Sequence, residues 1–321
     1  MKFDNILVIG GSGFVGRHLV AALAARGTSV TVPSRRRDRA RHLLTLPTVE
    51  VVEADVTRRD ALRELVAGRD AVVNLIGVLH SRRGPPGGYG PDFAAAHADF
   101  PRTLAEVCRE TGVRRLLHMS ALGAAPDAPS EYLRSKAAGE QAVLGGEGLV
   151  ATVFRPSVIF GPDDAFLNMF ACLARYLPVL ALACPEARFQ PVFVGDVARA
   201  FIAALDAPDA RGACYELCGP TVYSLRALLE YVCRTTGRRR LIIGLPDSLS
   251  YLQAWMMEFA PVKLLTRDNI RSMQVPSVRS EGGAPLPFEL APTALEAVAP
   301  GYLARATPRA RYPAMRFRAR R

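Results

Sequence analysis

The sequence predicts an α/β fold built on a doubly wound parallel sheet, with a smaller α+β lobe in the C-terminal half. Apolar segments of strand length alternate with segments of helical periodicity from the first residues onward. A glycine-rich turn stands between the first strand and the first helix. Alternation of this kind places parallel strands in one sheet, with helices on both of its faces.

Each predicted strand is a short apolar run rich in β-branched residues or leucine, and each predicted helix repeats apolar residues at helical spacing. The predicted strands are Ile6–Ile9, Ser29–Val32, Val49–Val52, Ala71–Ile76, Arg115–Met119 and Val150–Phe154. The predicted helices are Phe14–Ala25, Asp38–Leu44, Arg59–Val66, Phe93–Thr111 and Glu131–Leu144. After residue 161 the pattern loosens into helices, short strands and prolines, which indicates a separate lobe.

The turn after the first strand carries glycines at regular intervals, in the order Gly10, Gly13 and Gly16. Gly10 permits the tight turn, Gly13 lets the backbone approach a pyrophosphate, and Gly16 lets the helix pack closely on the strand. The pyrophosphate then meets the free amides and the positive dipole end of the helix. This context predicts a Rossmann-type dinucleotide-binding domain. Further predicted cofactor contacts in the same turn are Ser12, Phe14 and Val15.

The end of the second strand decides which dinucleotide binds, because an NAD site places a carboxylate there to accept a hydrogen bond from the ribose 2′-hydroxyl. Here the strand is followed by Ser34 and three arginines, and the first acid is Asp38. An arginine fork matches a 2′-phosphate in charge and geometry. We therefore expect NADP(H) rather than NAD(H), with Ser34 and Arg35 as contacts. Arginines that only solvate the loop are the alternative interpretation.

Ser120 follows the fifth strand, and Tyr132 and Lys136 lie one helical turn apart on the next helix. A nearby ammonium and a positively charged nicotinamide are expected to lower the pKa of Tyr132 towards a range useful for proton transfer. Lys136 can also hydrogen-bond the nicotinamide ribose, and Ser120 can hold a substrate oxygen. These three residues are the candidate catalytic group, and Tyr132 and Lys136 are candidate cofactor contacts as well.

Several later segments sharpen this interpretation when they are taken together with the glycine spacing. They are Arg155–Pro162, Asp163–Asn168, Gln190–Ala198 and Thr266–Asp268. In order and spacing the chain resembles the extended and atypical branches of the short-chain dehydrogenase/reductase superfamily. In particular it resembles the NADPH-binding accessory subunit of respiratory complex I and its bacterial relatives. The resemblance covers about residues 5–275.

The resemblance implies three further groups of cofactor contacts. An aspartate after the third strand is expected to reach the adenine amine, residues after the fourth strand to lie over the cofactor, and the segment after the sixth strand to pass the nicotinamide. The residues concerned are Asp55, Val56, Asn74, Leu75, Gly77, Pro156 and Val158. One position departs from the pattern, because His97 stands where many extended members carry an asparagine that supports a lysine–water relay. Since histidine can both donate and accept, the departure weakens the expected relay without removing it.

The chain is predicted to divide into two lobes and a tail. Residues 1–160, with a return segment near 189–220, form the NADP(H)-binding domain. Residues 161–188 and 221–300 form a smaller lobe for a substrate or partner. Within that lobe, Leu249–Phe259 carries a wide apolar face at helical spacing, for which core packing is the default explanation and contact with a bilayer or membrane subunit the alternative.

Residues 301–321 form a basic tail that is predicted to be disordered, because it contains two prolines and no apolar period. The final seventeen residues hold seven arginines and no acid, which explains much of the formal charge of +11. A solvated tail and a tail on an anionic membrane surface both fit this composition. Nucleic acid is not expected as a partner, because no known binding motif accompanies the charge.

No secretory signal precedes the first strand, and the longest weakly polar stretch is too short to cross a membrane. We therefore expect a cytoplasmic protein, with peripheral attachment to the inner face of a membrane left open. The cysteines and histidines lack metal-ligand spacing, so no metal is expected.

Three functions are compatible with these residues. The first is an NADP(H)-dependent oxidoreductase acting on a hydroxyl or carbonyl of a small lipophilic or quinone-related molecule, which the intact Ser120, Tyr132 and Lys136 favour. The second is a non-catalytic accessory subunit of a respiratory assembly in which NADPH stabilises the fold, which the resemblance favours. The third, an NAD-dependent sugar-nucleotide epimerase or dehydratase, fits the fold but conflicts with Arg35 and His97.

Overall fold

The computed structural model describes residues 3–82, 84–85, 87–145, 148–207, 210, 212–261, 263–282 and 286–304. The predicted basic tail from residue 305 onward lies outside the described residues. The chain divides into two compact units. The first unit takes the described residues of Met1–Pro156, Val194–Leu217 and Leu286–Ala291, and the second takes those of Ser157–Phe193, Cys218–Pro285 and Pro292–Arg321.

The first unit is built on a seven-stranded parallel sheet. The strands of the chain are β1 (Asn5–Ile9), β2 (Ser29–Ser34), β3 (Val49–Glu53), β4 (Ala71–Asn74), β5 (Arg115–Met119), β6 (Val150–Pro156), β7 (Ile159–Phe160), β8 (Val179–Leu182), β9 (Arg188–Phe189), β10 (Val192–Phe193), β11 (Cys214–Leu217), β12 (Tyr223–Ser224) and β13 (Leu241–Gly244). The sheet order is β11-β6-β5-β4-β1-β2-β3, and every pairing in it is parallel. This confirms the predicted doubly wound α/β fold.

The helices of the chain are α1 (Phe14–Ala25), α2 (Arg59–Val66), α3 (Pro91–Phe93), α4 (Phe100–Glu110), α5 (Glu131–Leu144), α6 (Ala165–Tyr176), α7 (Val194–Asp206), α8 (Leu225–Thr235), α9 (Asp247–Met257), α10 (Arg267–Met273) and α11 (Leu295–Leu303). A short 3₁₀ helix covers Arg37–Leu43. The helix predicted over Phe93–Thr111 contains a π-helical turn at Ala94–Asp99, between α3 and α4. Such turns are rare and occur often at functional sites.

Apolar side chains cover both faces of the sheet. On one face, residues of α2, α4 and α5 such as Leu62, Leu104 and Val143 pack in one buried cluster with strand residues. On the other face, the ring of Phe201 on α7 lies 4.3 Å from that of Phe154 on β6. Burial of these side chains supplies the main favourable free energy of the unit.

The central sheet contains one strand, β11, that was not among the six predicted strands. Its four residues, Cys214–Leu217, show no clean alternation of buried and exposed positions, and only the last is fully buried. A strand this short at the end of a sheet carries a weak periodic signal, so its pairing with β6 becomes visible only in the structure.

The second unit has a separate apolar core formed by α6, α8 and α11 with strand residues. Its strands form three small pairs, with β10 parallel to β7, β13 parallel to β8, and β12 antiparallel to β9. Among the described residues, no helix has the length and apolarity needed to cross a bilayer.

The default prediction of core packing for Leu249–Phe259 is wrong for four large side chains, although Tyr251 is partly buried. Leu252, Trp255, Met256 and Phe259 are 47, 45, 56 and 75% exposed. The buried positions of α9 are instead the small residues Ser250 and Ala254.

Candidate functional site

The glycine turn holds β1 and α1 together by direct backbone contact. Gly10 has a φ of +82°, in the left-handed region that favours glycine. A Cβ at Gly16 would lie 2.3 Å from the carbonyl oxygen of Gly10 and 2.5 Å from the Cα of Gly11, so the turn accepts no side chain there. A Cβ at Gly11 would lie 2.9 Å from both methyl groups of Val32. Gly11 is therefore a further close-packing position that the spacing argument missed.

The N-terminus of α1 is open to an anion. Gly13, the residue before the helix, has an extended backbone and no side chain that could cap the helix, and no acid stands in the first turn. Ser12 and Phe14 are partly exposed beside it, whereas Val15 is buried. The first-turn amides and the positive end of the helix dipole can therefore hold a phosphate.

Ser34 and Arg35 lie where the second strand ends. Ser34 is the last residue of β2, and its hydroxyl donates to the carbonyl oxygen of Arg36 at 2.9 Å. Because the Ser34 hydroxyl donates its proton to this carbonyl, it stabilises the conformation of the loop that carries Arg35. Arg35 is exposed, so its guanidinium is available to a phosphate at this position.

Asp55 lies after β3 and is held by its own turn. Its Oδ1 accepts hydrogen bonds from the Thr57 hydroxyl at 2.8 Å and the Thr57 amide at 3.1 Å. These bonds, followed by the positive charges of Arg35 and Arg58, lower the pKa of Asp55. The next residue, Val56, packs partly buried against the core of the first unit.

Asn74 is fully buried at the end of β4, and both ends of its side-chain amide are engaged. Its Oδ1 accepts from the amide of Ile76 at 3.1 Å, and its Nδ2 lies 3.1 Å from Nδ1 of His118. Since Nδ2 can only donate, Nδ1 of His118 accepts and the ring proton sits on Nε2. The Asn74 side chain therefore shapes the turn through which Leu75 and Gly77 pass.

The residues after β4 and β6 have different surroundings. Leu75 is buried against Gly10, and a Cβ on Gly77 would lie 3.3 Å from Nζ of Lys136. Pro156 ends β6 in the first unit, where its carbonyl accepts from the amide of Leu122. Val158, the other predicted contact of this segment, belongs to the second unit.

Ser120 and Lys136 meet at one peptide group. The Lys136 ammonium, 2% exposed, donates to the carbonyl oxygen of Met119 at 3.2 Å, and that carbonyl precedes Ser120. Ser120 is also buried, and its hydroxyl finds no hydrogen-bond partner in the described part of the chain. Tyr132 lies one turn before Lys136 on α5, whose first turn is capped by the Ser130 hydroxyl. The structure thus brings Lys136 and Ser120 together at the end of β5, with Tyr132 one helical turn away on α5.

Burial sets the protonation of this group. It raises the pKa of Tyr132 to about 12, the direction opposite to the one predicted from a neighbouring ammonium. It also lowers the pKa of Lys136 to about 8, against an opposing contribution from Glu140. Desolvation is the dominant cause in both cases because each charged form loses its water. Tyr132 is therefore a neutral phenol that keeps its proton at neutral pH.

His97 lies in the π-helical turn and has both ring nitrogens engaged. The amide of Val78 donates to Nε2 at 3.0 Å, so the proton sits on Nδ1, which donates to the Ser135 hydroxyl at 2.9 Å. Ser135 in turn donates to the carbonyl of Tyr132 at 2.7 Å. Burial and the Lys136 ammonium lower the pKa of His97 to about 2, so it stays neutral. This arrangement leaves neither nitrogen for the expected lysine–water relay.

His118 was not singled out as a functional residue by the sequence analysis. It is 1% exposed, and burial lowers its pKa to about 3, so the ring is neutral. Its Nε2 has no partner within the described residues. The available signal was its position two residues before Ser120, because alternate residues of a strand face the same side of a sheet.

Behind Lys136 lies an ion pair between Glu140 and Arg155. Glu140 is 4% exposed on α5, one turn beyond Lys136, and its Oε1 accepts from Nε of Arg155 at 2.8 Å. A second contact joins Oε2 to the other arm of the guanidinium. The bidentate geometry ties α5 to β6 and keeps a carboxylate near the lysine.

These residues fit a nicotinamide dinucleotide. The glycine turn offers uncapped helix amides to a pyrophosphate, and its packing excludes side chains where the backbones meet. Among the described residues the buried hydroxyl of Ser120 has no hydrogen-bond partner, and the ammonium of Lys136 lies where a side chain on Gly77 would intrude. Buried polar groups left without partners cost free energy, which a bound ligand can recover.

Comparison with known proteins places the chain in one family. The sequence pattern of the NAD dependent epimerase/dehydratase family matches residues 6–218. The chain is 31% identical over 299 residues to the Mus musculus NADH dehydrogenase (ubiquinone) 1 alpha subcomplex subunit 9, mitochondrial, covering 88% of this chain and 77% of that protein. It is 34% identical over 199 residues to the ceramide reductase of Caulobacter vibrioides, covering 62% of this chain and 60% of that enzyme.

Solved structures share the fold at lower identity. The dTDP-glucose 4,6-dehydratase DesIV of Streptomyces venezuelae superposes with a TM-score of 0.66 at 22% identity, covering 76% of this chain and 85% of that chain. The family match, the mouse relative and the parallel sheet with its glycine turn agree with one another. The chain therefore belongs to the NAD dependent epimerase/dehydratase family, as its resemblance to extended short-chain dehydrogenases/reductases predicted.

Proposed function

We propose that this protein is an NADP(H)-dependent oxidoreductase that acts on a hydroxyl or carbonyl of a lipophilic molecule. The observation that carries this proposal is the buried group at the end of β5. Lys136 donates to the peptide group that leads into Ser120, and the Ser120 hydroxyl lacks a partner among the described residues. Tyr132 stands one helical turn from Lys136 on α5, and its phenol keeps at neutral pH the proton that a donor must supply.

Each side chain has a role in the reduction of a carbonyl. A bound NADPH supplies the hydride. The Ser120 hydroxyl donates a hydrogen bond to the carbonyl oxygen of the substrate, and the Tyr132 phenol donates the proton that completes the alcohol. Lys136 holds the nicotinamide ribose and favours the tyrosinate that remains. The oxidation of a hydroxyl follows the same steps in reverse.

The preference for NADP(H) over NAD(H) rests on Arg35. Its exposed guanidinium follows the strand end at which an NAD site would carry a carboxylate, and the Ser34 hydroxyl holds the loop that presents it. An arginine beside a 2′-phosphate forms charge-assisted hydrogen bonds that NAD(H) cannot make.

A lipophilic substrate is supported by the relatives that carry an enzymatic name. The relative from Caulobacter vibrioides is a ceramide reductase, and a second relative from Stigmatella aurantiaca is a ketoreductase of a farnesylated quinoline oxide. Both names describe reductases of molecules with long apolar groups. A quinone-related or lipid carbonyl is the class of substrate that we propose here.

The experiment compares the wild-type protein with Tyr132→Phe. The proteins are incubated with NADPH deuterated at C4 and a cell lipid extract, and deuterium transfer is followed by mass spectrometry. Loss of the Tyr132 hydroxyl should slow deuterium transfer to the substrate about 10²–10⁴-fold, while the affinity for NADPH changes little. Tyr176→Phe is the matched control, because Tyr176 is 69% exposed and lies on a different helix.

The second candidate is an accessory subunit of a respiratory assembly that binds NADPH for stability. It is favoured by the saturated hydrogen bonding of His97, which leaves no nitrogen for a relay, and by the mouse relative, a subunit of NADH dehydrogenase. This candidate predicts no deuterium transfer to any fraction of the extract. It also predicts that NADPH raises the melting temperature of wild type and Tyr132→Phe alike.

An NAD-dependent sugar-nucleotide epimerase or dehydratase is the third candidate, supported by fold alone. It requires NAD(H) to bind at least as well as NADP(H), which is the opposite of what Arg35 predicts. We further propose a cytoplasmic location with peripheral attachment to the inner face of a membrane. The arginine-rich composition of residues 305–321 suits an anionic surface and supports this location.

A further inference from the structure

Helix α9 buries small residues and exposes large apolar ones, which is the reverse of what is expected of a surface helix. Its buried residues are Ser250 and Ala254, both 0% exposed. Leu252 and Trp255 are 47 and 45% exposed, and Phe259, just beyond the helix, is 75% exposed. A helix on the surface of a water-soluble unit normally buries its large apolar side chains. Here Leu252 and Trp255 face outward, while Tyr251 and Met257 are half-buried.

The pair of strands next to α9 continues this arrangement. Val179 on β8 lies opposite Leu241 on β13, and Ala181 lies opposite Ile243. Val179, Leu241 and Ile243 are 43, 61 and 47% exposed. The amide of Gln253 on α9 donates to the carbonyl of Ala181 at 3.1 Å, which joins helix and strands.

We define the apolar face as the exposed apolar side chains of α9 and its C-terminal end with those of the strand pair, namely Leu252, Trp255, Phe259, Val179, Leu241 and Ile243. A group of exposed large apolar side chains on linked elements marks a binding site more often than scattered single ones do.

Positive side chains lie close in sequence to the residues of the apolar face. Arg175 comes four residues before Val179 and Arg239 two residues before Leu241, and both are exposed, while Lys263 follows Phe259 by four residues at an intermediate exposure. Ion pairs between described residues engage none of the three. Glu258, the residue before Phe259, forms an ion pair with Arg267, with 2.7 Å between Oε2 and Nη2.

We propose that the apolar face docks on a bilayer that contains anionic phospholipid. Trp255 and Phe259 enter the boundary between headgroups and acyl chains, and Arg175, Arg239 and Lys263 contact lipid phosphates. Exposed tryptophan and phenylalanine beside arginine and lysine are the residue types that lie at this depth. These three positive side chains favour the bilayer over a protein surface, since anionic lipid complements their charge. This inference deepens the peripheral membrane attachment proposed above and is independent of the proposed reaction.

The chain offers its own probe, because Trp255 is its single tryptophan. The full-length protein is titrated with vesicles of phosphatidylglycerol and phosphatidylcholine, and with vesicles of phosphatidylcholine alone. We expect a blue shift of tryptophan emission and quenching by lipids brominated in the acyl chain, both much stronger with the anionic vesicles. Leu252→Gln and Phe259→Gln keep the fluorophore and should each weaken vesicle affinity about tenfold.

Leu44→Gln is the matched control, because Leu44 is 45% exposed but belongs to the first unit. A full-length variant in which Arg316, Arg318, Arg320 and Arg321 become glutamine separates the face from the tail, and it should keep the blue shift. Sedimentation with vesicles without a change in Trp255 emission would show adsorption by the tail and overturn the proposal. A blue shift that depends on protein concentration without lipid would overturn it in favour of a second copy of the chain.

Discussion

The candidate site of the first unit is marked by polar side chains that are buried, whereas the apolar face of the second unit is marked by apolar side chains that are exposed. His97, His118 and Lys136 are 1, 1 and 2% exposed, while Trp255 and Phe259 are 45 and 75% exposed. A buried polar group costs free energy unless it is hydrogen-bonded, and an exposed apolar patch invites association. Buried polar side chains therefore indicate a site for chemistry or a small ligand, and exposed apolar side chains indicate a surface that binds another molecule or a membrane. Comparing the two shows which part of the chain should respond to a small ligand and which to a surface.

The largest effect is expected from Gly16→Ala, which changes the backbone contact between α1 and the glycine turn of the first unit. The new Cβ would lie 2.3 Å from the Gly10 carbonyl oxygen, so β1 and α1 must separate. We expect the free energy of unfolding in urea to fall by about 3 kcal/mol, with loss of NADPH binding. Gly301→Ala is the control, because a Cβ there meets nothing within 4 Å. An unchanged midpoint for Gly16→Ala would contradict the tight packing of the turn.

Lys136→Met tests the cost of burying charge in the first unit. Burial lowers the pKa of Lys136 from 10.5 to about 8, so the unfolded chain binds the proton more tightly than the folded protein does. At pH 7 this reduces stability, and the loss disappears as pH rises from about 8 to 10.5. After allowance for the lost bond to Met119, Lys136→Met should raise the free energy of unfolding by about 2 kcal/mol at pH 7.

The advantage of Lys136→Met should vanish before pH 10.5, where only the lost hydrogen bond to Met119 remains and wild type should be the more stable by about 1 kcal/mol. Urea unfolding at pH 7 and pH 10.5 would measure this reversal. Lys263→Met, at a partly exposed lysine, should show neither the gain nor its pH dependence. A variant less stable than wild type at pH 7 would mean that the charged lysine is stabilised by partners rather than penalised by burial.

Arg35→Ala is expected to give the smallest effect, confined to cofactor choice. Wild type should bind NADPH at least about tenfold more tightly than NADH, because one arginine contact with a 2′-phosphate is worth about that factor. The substitution should remove most of this preference and leave NADH affinity unchanged. Isothermal titration calorimetry with both dinucleotides measures it, with Arg39→Ala as the control. Equal affinities in wild type would turn the assignment towards NAD(H).

Local periodicity was enough to predict the elements that flank the candidate site. Helices α1, α2 and α5 begin and end at the predicted residues, because each combines an apolar stripe with a defined start after a strand or loop. Tyr132 and Lys136 could be placed together for the same reason. The sheet order and β11 depend on pairing between distant segments, which no local pattern carries.

The surroundings of the site residues were harder to predict. Sequence spacing suggested an activated tyrosine, but the pKa of Tyr132 depends on how much water burial removes. The same limit applies to His97, whose two partners, Val78 and Ser135, come from separate elements. Apolar periodicity in Leu249–Phe259 identified a face correctly but could not show whether the face pointed inward or outward.

The π-helical turn at Ala94–Asp99 has a consequence for how this sequence can vary. A π turn holds one residue more than an α turn, so a single-codon deletion there would rotate the segment before it by about 100° and carry His97 away from Val78 or Ser135. The turn also brings the His97 carbonyl to within 2.1 Å of where a Cβ on Gly139 would lie. The extra residue and the glycine are thus coupled, and substitutions at the two places should show strong epistasis. Descendants of this gene should gain or lose the two features as a pair.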